Sequence, residues 1–473
     1  MAQKVKVGFF SIGLDTYWPQ FDGLLPRLEG YAAEIKGQME ALGAEIIDAG
    51  MVDNPDKAGA AAAQFRQGGA EVVFLFISTY ALSSTVLPVA QKAGIPVVLL
   101  NIQPSAAINY DKLNSMGDRG AMTGEWLAHC QACSLPEIAS VFNRAGIGYG
   151  IVSGYLGEPT VWREIGAWIE AAGVKHAMAN NRMGILGHYY CGMLDVYTDI
   201  TMQSAVFGTH MELLEMDEVK MLLDSVTEKE KEEKVAEFRS VFAVAPECDP
   251  AEMDRAAVTA AAMDKLVAKH GLGSLAYYYE GSPGSEHENI ATSVIAGNTV
   301  LTGRGVPVAG ECEVKNAQAM KIMSEFGAGG SFSEFYALDY NDDIVMLGHD
   351  GPAHMAIAEG PVGLVPLPVY HGKPGKGLSI QMSVKQGPVT VLSVCEGRQG
   401  EFLLVAEGES VPGPVLHIGN TNSRYKFPIP AKGFIENWSK AGPAHHCAVG
   451  IGHIAEKIEK LAFLTGIPII KIC

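Results

Sequence analysis

The chain has no apolar stretch that approaches the ~20 residues needed to span a bilayer. It begins MAQKVKVGFF, which lacks the cleavage pattern of a secretory signal peptide. Basic residues are in deficit, with 35 Lys and Arg against 53 Asp and Glu and a formal net charge of -18. Nucleic-acid and anionic-membrane partners usually require a clustered basic surface, so the composition argues against both. We expect a soluble, cytoplasmic protein that acts on a small neutral molecule.

Cysteine is sparse, with 8 residues among 473, and it has no compact spacing. This favours reduced thiols over a disulfide framework. Cys130 and Cys133 have C-x-x-C spacing and follow His129, a pattern that suggests redox or zinc chemistry. Because the surrounding EWLAHCQAC has a helical pattern and no second C-x-x-C exists, we interpret this pair as part of a packed helix.

The hydrophobic content of 48% is enough for a large core divided among roughly two to four domains. Residues 1–173 alternate β-branched runs such as VVFLFI with amphipathic segments. This alternation is typical of a doubly wound parallel sheet, and we predict an N-terminal Rossmann-like domain. No G-x-G-x-x-G follows the first strand, so the sequence gives little support for a dinucleotide cofactor.

The rest of the chain divides into two further predicted domains. Residues 174–329 continue the mixture of strands and charged or alanine-rich helices, which predicts a central α/β domain. Residues 330–473 consist of short alternating segments separated by Gly and Pro, among them LVPLPVYHG at 364–372. That pattern predicts a C-terminal antiparallel sheet or barrel, and the fold class is therefore α/β with a barrel-like third domain.

Four polar residues in glycine-rich strand-end contexts are candidate ligands of one divalent metal: Glu311, Glu334, His349 and His446. A glutamate between large apolar residues, as in FSEFY, is costly to bury unless it is paired or bound to a metal. Instead of binding a metal, Glu311 and Glu334 could each face solvent from a strand. For Glu311 the second acid nearby, Glu313, favours this alternative. For His349 the alternative is a hydrogen-bonded turn residue. Two carboxylates and two imidazoles suit Mn²⁺, Co²⁺ or Mg²⁺ better than Zn²⁺.

The adjacent histidines His445 and His446 are unusual. Neighbouring side chains on an extended or turning segment point in opposite directions, so we expect one imidazole to bind inward and the other to support it or to face solvent. By the same argument Cys312 and Cys447, next to the proposed ligands, are expected to be packing residues.

Three segments in the last third of the chain resemble the metal-site segments of the L-arabinose isomerase family, within the arabinose/fucose isomerase superfamily. They are AGECEVKNAQAMKIM (309–323), GGSFSEFYALDYNDDIVMLGHD (329–350) and AGPAHHCAVG (441–450). The resemblance covers the whole chain in order, but in the first third mainly the α/β pattern agrees. It implies a Rossmann-like domain, a central α/β domain and a C-terminal β-barrel. It also implies Mn²⁺ on Glu311, Glu334, His349 and His446, and a hexamer or tetramer with active sites completed by a neighbouring subunit.

The resemblance implies reversible interconversion of an aldose and a ketose through a cis-enediol, with Glu311 and Glu334 as acid and base. Two departures stand out. Leu14 and Asp15 occupy positions where the family carries a glutamine and a histidine, and MGDRGAMTGEW replaces the segment that a neighbouring subunit contributes. We therefore expect retained metal chemistry with altered sugar choice. The candidate substrate-binding residues are Asp15, Tyr17, Asp118, Arg119, His188, Tyr279, Tyr336 and His445.

Two other functions stay open at this point. A metal-dependent epimerase or lyase would use the same enediolate, because proton abstraction beside a carbonyl is the shared first step. A non-catalytic sugar-binding protein would keep the fold without the chemistry. The presence of both Glu311 and Glu334 counts against that last function.

Overall fold

The computed structural model describes residues 4–368 and 375–473 and contains two compact units, Met1–His176 and Ala177–Cys473. The predicted domain boundaries near residues 173 and 329 stay a prediction. Of the short strand predicted over 364–372, residues 369–372 lie outside the described part of the chain.

The first unit is built on a five-stranded parallel sheet, as the sequence predicts. Its strands are β1 (Val5–Ile12), β2 (Ala44–Val52), β3 (Val72–Ile77), β4 (Val97–Gln103) and β5 (Tyr149–Tyr155). Their order is β2-β1-β3-β4-β5, a doubly wound order. Every residue of β3 is buried, as expected for a central strand of a sheet covered on both faces.

Helices connect these strands and pack against the sheet. They are α1 (Leu24–Ala41), α2 (Pro55–Gly68), α3 (Ser83–Ala93), α4 (Tyr110–Ser115), α5 (Arg119–Leu127), α6 (Gln131–Ala145) and α7 (Pro159–Ala179). Phe65 of α2, Val86 of α3 and Phe142 of α6 enter one hydrophobic cluster with the sheet. A 3-10 helix, Asp15–Tyr17, follows β1.

The two cysteines of the C-x-x-C segment form a disulfide, so the prediction of reduced thiols is wrong for this pair. The segment is not one helix, because α5 ends at Leu127 and α6 begins at Gln131. Cys130 caps α6 and Cys133 lies in its first turn, which brings the two Cα atoms to 5.6 Å. That separation is within the range a disulfide requires. The six other cysteines are free thiols.

The second unit holds the remaining strands. They are β6 (Arg182–Gly187), β7 (His210–Leu214), β8 (Ala243–Val244), β9 (Ser274–Tyr278), β10 (Val308–Ala309), β11 (Gly329–Asp339), β12 (Ile344–His349), β13 (Gly363–Pro366), β14 (Leu378–Gln381), β15 (Gly387–Gly397), β16 (Gly400–Val411), β17 (Thr421–Lys426), β18 (His446–Ile451) and β19 (Ile469–Lys471). A four-stranded parallel sheet has the order β10-β9-β6-β7, and a three-stranded sheet has the order β14-β13-β8.

The helices of this unit vary widely in length. They are α8 (Ile200–Phe207), α9 (Met216–Asp224), α10 (Glu228–Val241), α11 (Pro250–His270), α12 (Glu286–Ala291), α13 (Ile295–Gly303), α14 (Val314–Glu325), α15 (Ala431–Ala441) and α16 (Ala455–Thr465), with a 3-10 helix at Met355–Ile357. The longest, α11, begins with Asp249 accepting from the backbone N–H of Ala251 and ends at Gly271 in the left-handed conformation. Among the described residues, no helix combines the length and the apolar character needed to cross a bilayer.

The predicted C-terminal barrel is present. Six antiparallel strands close in the order β15-β18-β11-β12-β17-β16, because β16 pairs again with β15. The strand β19 pairs in parallel with β16 outside this ring. Glu334 on β11 lies opposite Gly348 on β12 and opposite His446 on β18. The register therefore brings Glu334, His349 and His446 to the same part of three neighbouring strands.

Candidate metal and sugar site

Glu311 lies in a strained segment directly after β10. Glu311 and Cys312 have φ angles of 56° and 57°, in the left-handed region that residues other than glycine seldom adopt. Such a conformation costs about 1–3 kcal/mol per residue and persists where the surroundings impose it. Here the Cys312 N–H donates to the Tyr277 carbonyl at 2.9 Å, and the Tyr190 N–H donates to the Glu311 carbonyl at 3.3 Å. The backbone therefore holds Glu311 in one place at the strand end.

Two buried histidines of the barrel approach the Glu311 carboxylate. Nε2 of His349 lies 4.0 Å from Oε1 of Glu311, and Nε2 of His446 lies 3.5 Å from Oε2. The two imidazole centroids are 5.2 Å apart, and the Phe332 ring packs against each at 4.4 Å. One ligand atom from each of Glu311, His349 and His446 lies within 4.8 Å of the others. These three side chains can therefore reach one ion.

A second group of ligand atoms overlaps the first at His446. Glu334, His445 and His446 also offer atoms that all lie within 4.8 Å of one another. His446 belongs to both groups, so the structure brings all four predicted ligands, together with His445, into one neighbourhood. They come from the end of β10, from the barrel strands β11, β12 and β18, and from the bend before β18.

Two buried polar atoms that face each other in this neighbourhood have no hydrogen-bond partner among the described residues. They are Oε2 of Glu311 and Nε2 of His446, 3.5 Å apart. An unpaired buried polar atom costs about 1–3 kcal/mol, so two of them facing each other are unusual in a packed interior. Carboxylate oxygens and imidazole nitrogens are ligands of divalent transition metals. The residues present therefore fit a divalent cation.

Burial sets the protonation of this cluster. Burial, and after it the neighbouring His446, lowers the pKa of His349 to about 3. The pKa of His446 also falls to about 3, mainly through burial and then through His445. Burial acts to raise the pKa of Glu311, but the nearby imidazoles, His445 first, outweigh it and leave that pKa below its usual value. Neutral imidazoles and an ionised carboxylate are the forms that bind a metal.

Glu313 holds the other nitrogen of His446. Its buried carboxyl places Oε2 at 2.5 Å from Nδ1 of His446. Burial raises the pKa of Glu313 to about 8. In the form that can bind a cation, Nδ1 of His446 carries the single imidazole proton and donates it to ionised Glu313, which leaves Nε2 as the lone-pair nitrogen that faces Glu311. In the sequence, a second acid at Glu313 favours the interpretation that Glu311 faces solvent. In the structure, Glu313 is buried and contacts His446.

The expectation that the side chains of His445 and His446 point in opposite directions is wrong. The His445 and His446 ring centroids are 3.8 Å apart, and Nε2 of His445 lies 3.7 Å from Oε2 of Glu311. The reason is that β18 begins at His446, whereas His445 belongs to the bend before it and does not follow the strand alternation. Both imidazoles therefore approach the same carboxylate.

Asp195 anchors His445. Its Oδ2 accepts the backbone N–H of His445 at 3.0 Å and lies 2.6 Å from Nδ1 of the same residue. The Glu311 carboxylate first, and Asp195 with it, raise the pKa of His445 to about 9 against the effect of burial. Sequence analysis missed Asp195, because its partner lies 250 positions away and GMLDVYT carries no local signal.

A cavity of about 150 Å³ opens onto Glu311, Glu334 and His349. Its lining also includes Tyr190 and the three tyrosines at 277–279, with the Tyr190 and Tyr278 rings 4.5 Å apart. An aromatic wall with a few convergent polar groups is typical of a small-molecule site.

The predicted sugar-binding residues of the second unit have different surroundings. Tyr279 lines the cavity, and its hydroxyl lies 2.5 Å from Nδ1 of His287. The exposed His188 packs its ring against Tyr279, with centroids 6.2 Å apart. Tyr336 is not among the described residues that line the cavity, and its hydroxyl accepts from Asn420 at 2.7 Å. Tyr279 is thus the one of these three residues that lines the cavity.

Four predicted sugar-binding residues belong to the first unit. Asp15 and Tyr17 form the 3-10 helix after β1, and the Tyr17 ring packs against Phe21. Asp118 caps α5 by accepting the Ala121 N–H at 2.6 Å, and the exposed Arg119 is the first residue of that helix. Their role in sugar binding stays a prediction.

Comparisons with known proteins point to sugar chemistry. The chain is 24% identical over 350 residues to a protein from a Nocardioides species named L-arabinose isomerase, covering 71% of this chain and 68% of the relative. It is 21% identical over 328 residues to a protein from Alkalicoccus urumqiensis named sulfoquinovose isomerase, covering 68% of this chain and 72% of the relative. This chain is a distant relative of sugar isomerases. No family model matches it. The two similarities support a general sugar-isomerase function and do not single out L-arabinose.

Proposed function

We propose that this chain is an aldose–ketose isomerase that depends on a divalent cation and moves a proton between adjacent sugar carbons through a cis-enediol. The observation that carries the proposal is the convergence of Glu311, Glu334, His349 and His446 beside one cavity. The names of the two relatives support the same reaction class. Manganese is the cation we propose first, with cobalt and magnesium as alternatives.

The reaction needs a base for the proton beside the carbonyl and an acid that returns a proton to the adjacent carbon. Glu311 and Glu334 line the same cavity, so one carboxylate can accept the proton while the other returns it. His445, with its pKa raised to about 9, keeps its proton at neutral pH and can donate a hydrogen bond beside Glu311. A bound cation, held by the two glutamates with His349 and His446, would supply Lewis-acid polarisation of the neighbouring sugar oxygens.

We propose that the preferred sugar is not L-arabinose, because Leu14 and Asp15 stand where the family resemblance implies a glutamine and a histidine. The relative named sulfoquinovose isomerase adds sulfonated hexoses to the candidates. We also propose a homo-oligomer, a hexamer or a tetramer, in which Asp118 and Arg119 of a neighbouring subunit complete the sugar site.

The proposal is tested with purified protein that has been stripped of metal by a chelator. A panel of aldopentoses, aldohexoses, deoxysugars and a sulfonated hexose is incubated with and without Mn²⁺, and the products are identified by NMR. A ketose that forms only with cation supports the proposal. Formation of an epimer or of cleavage products would replace it with the epimerase or lyase reaction, and sugar-induced stabilisation without turnover of any sugar would replace it with a binding function.

Glu313→Gln is expected to weaken cation binding about 10- to 100-fold, the usual effect of losing a group that orients a metal ligand. The glutamine keeps the size of the side chain, but its amide can donate to Nδ1 of His446. That hydrogen bond favours a proton on Nε2, the nitrogen that faces Glu311. Calorimetric titration of the stripped protein with Mn²⁺ measures the change.

Glu325→Gln, at the other end of the helix that follows Glu313, serves as the matched control and should bind the cation as the unaltered chain does. Unchanged cation affinity in a folded Glu313→Gln protein would rule out the proposed role of this carboxyl.

Asp195→Asn is expected to lower kcat about 10- to 100-fold while KM changes little, because misplacing a group near the reacting atoms costs more in turnover than in binding. The variant removes the carboxylate that fixes Nδ1 and the backbone of His445. Steady-state kinetics with the best sugar separate the two constants. Asp224→Asn, at an exposed position on α9, is the control. A rise in KM with kcat unchanged would assign Asp195 to sugar binding instead.

A further inference from the structure

The start of α6 carries a pair of cysteines that the proposed isomerase site does not use. Cys130 is buried at 2% exposure and precedes the first helical residue, whereas Cys133 is exposed in the first turn. The two form a disulfide with their Cα atoms 5.6 Å apart. One sulfur is therefore open to reagents in solution, and its partner is sheltered directly behind it.

Hydrogen bonds outside the disulfide hold this turn in place. The buried Gln131 donates from Nε2 to the carbonyls of Ser78 and Ala128, each at 2.9 Å. Ser134 accepts the Ala81 N–H at 2.8 Å. These bonds fasten the first turn of α6 to the loop after β3. The cysteines therefore keep their separation whether or not the sulfurs are joined.

The surroundings also favour thiolate chemistry. The N-terminus of a helix stabilises negative charge, and α6 is 15 residues long. His129, the residue before Cys130, has a side chain only 6% exposed, and its Nδ1 has no hydrogen-bond partner among the described residues. Burial lowers the pKa of His129, so this imidazole is neutral, and its Nε2 lies 3.8 Å from Oε1 of Glu125. A sheltered, neutral imidazole thus stands next to the cysteine pair in the sequence.

We propose that Cys130 and Cys133 form a reversible dithiol–disulfide site that exchanges with low-molecular-weight thiols and disulfides. The Cys133 thiolate attacks an external disulfide, whose S–S bond breaks as a mixed disulfide forms and one external thiolate leaves. The Cys130 thiolate then attacks the Cys133 sulfur, closes the internal disulfide and releases the second external thiolate. Two protein thiols are oxidised, one external disulfide is reduced to two thiols, and the protons pass to those thiolates.

The remaining cysteines differ in ways that make the assignment specific. Cys312 and Cys447 are buried, which shelters both thiols from reagents in solution. Cys191 is exposed as a free thiol, so it can form a mixed disulfide with an external thiol. Cys191 has no disulfide partner among the described residues, so we expect that adduct to stay on the protein. Cys191 is therefore the natural internal control.

The test equilibrates the full chain in glutathione buffers of increasing oxidised fraction, traps free thiols by rapid alkylation, and reads each cysteine peptide by mass spectrometry. We expect the peptide with Cys130 and Cys133 to pass from doubly alkylated to internally bonded, and dithiothreitol to reverse the change. Cys191 should instead gain glutathione. In reduced protein exposed briefly to the alkylating reagent, Cys133 should be labelled before Cys130.

Two single variants test the order of attack. Cys130→Ser should accumulate one glutathione on Cys133, because no second thiol displaces it. Cys133→Ser should leave the buried Cys130 unmodified under the same buffers. Cys191→Ser should behave as the unaltered chain does at the pair. The readout is thiol state and not isomerase activity, so it stands apart from the proposed function.

Three results would overturn the proposal. The first is a pair that stays doubly alkylated in fully oxidised buffer, and the second is a pair that stays bonded in excess dithiothreitol while the protein remains folded. The third is stoichiometric zinc released on alkylation of the reduced pair, which would assign these thiols to a metal. The alkylation order in the unaltered chain decides the role of Cys133 even if a serine variant fails to fold.

Discussion

Replacing Glu311 with glutamine is expected to lower kcat/KM for the best sugar by about 10²- to 10⁴-fold, the usual effect of losing an acid–base group. The amide cannot accept the substrate proton at neutral pH. It also removes the negative charge that faces the imidazoles of His349, His445 and His446 at 3.5–4.0 Å. Glutamine has the same shape, so the strained backbone at Glu311 and Cys312 should persist.

Initial rates of ketose formation at saturating Mn²⁺ measure this effect, and exchange of the sugar C2 proton with deuterated solvent reports the proton-transfer step directly. Glu334→Gln should give a loss of similar size, because both carboxylates line the cavity. Glu409→Gln, at an exposed position on β16 of the same barrel, should leave the rate unchanged. Full activity in either cavity variant would remove that glutamate from the proposed acid–base pair.

Removing divalent cations is expected to abolish turnover, and adding Mn²⁺ is expected to restore it. The same cation should stabilise the folded chain, because it satisfies Oε2 of Glu311 and Nε2 of His446, buried atoms that have no hydrogen-bond partner among the described residues. At a free cation concentration about 100-fold above its Kd, the gain in unfolding free energy is about 2.7 kcal/mol. Thermal unfolding followed by circular dichroism, with and without Mn²⁺, measures it alongside the activity.

Two histidine variants locate the effect. His446→Ala should lose both the turnover and the Mn²⁺-dependent rise in Tm, because His446 belongs to both groups of candidate ligands. His417→Gln replaces an exposed histidine elsewhere in the second unit and should keep both. If the chelated protein keeps full turnover, or if Mn²⁺ still raises the Tm of folded His446→Ala by the full amount, the cation does not bind where we propose.

The arrangement of the site follows from two sheets within the second unit. The parallel sheet supplies Glu311 at the end of its edge strand β10, and the closed barrel supplies Glu334, His349 and His446 from three adjacent strands. Closure of the barrel fixes the register of β11, β12 and β18, so these side chains cannot slide relative to one another. A rigid scaffold of this kind suits chemistry that depends on the separation between carboxylates and imidazoles.

Much of the fold could be predicted from the sequence because the relevant signals are local. The apolar run VVFLFI predicts a strand buried on both faces, and all six residues of β3 are buried. An alanine-rich helix is predicted within residues 174–329, and α11 at Pro250–His270 is that helix. Short alternating segments in the last third predict antiparallel strands, and they form the barrel. Side-chain periodicity and turn residues act over a few positions, so one segment is enough to reveal them.

The sequence by itself also singled out Glu311, Glu334, His349 and His446, because acids and imidazoles next to glycine at strand ends are unusual and resemble a known set of segments. Tertiary structure alone decided which groups support them. Glu313 meets His446 across 133 positions and Asp195 meets His445 across 250. No local pattern records such pairs, since they depend on how distant strands and turns pack.

The same distinction explains the wrong expectations. Strand alternation holds only inside a strand, and β18 begins one residue later than the histidine pair suggests, so both imidazoles face Glu311. The sequence has a helical pattern across the C-x-x-C segment, yet the helix is interrupted between α5 and α6. Cys130 and Cys133, at the start of α6, form a disulfide. The sequence determined which side chains were available, whereas the ends of the elements, set by long-range packing, decided where those side chains point.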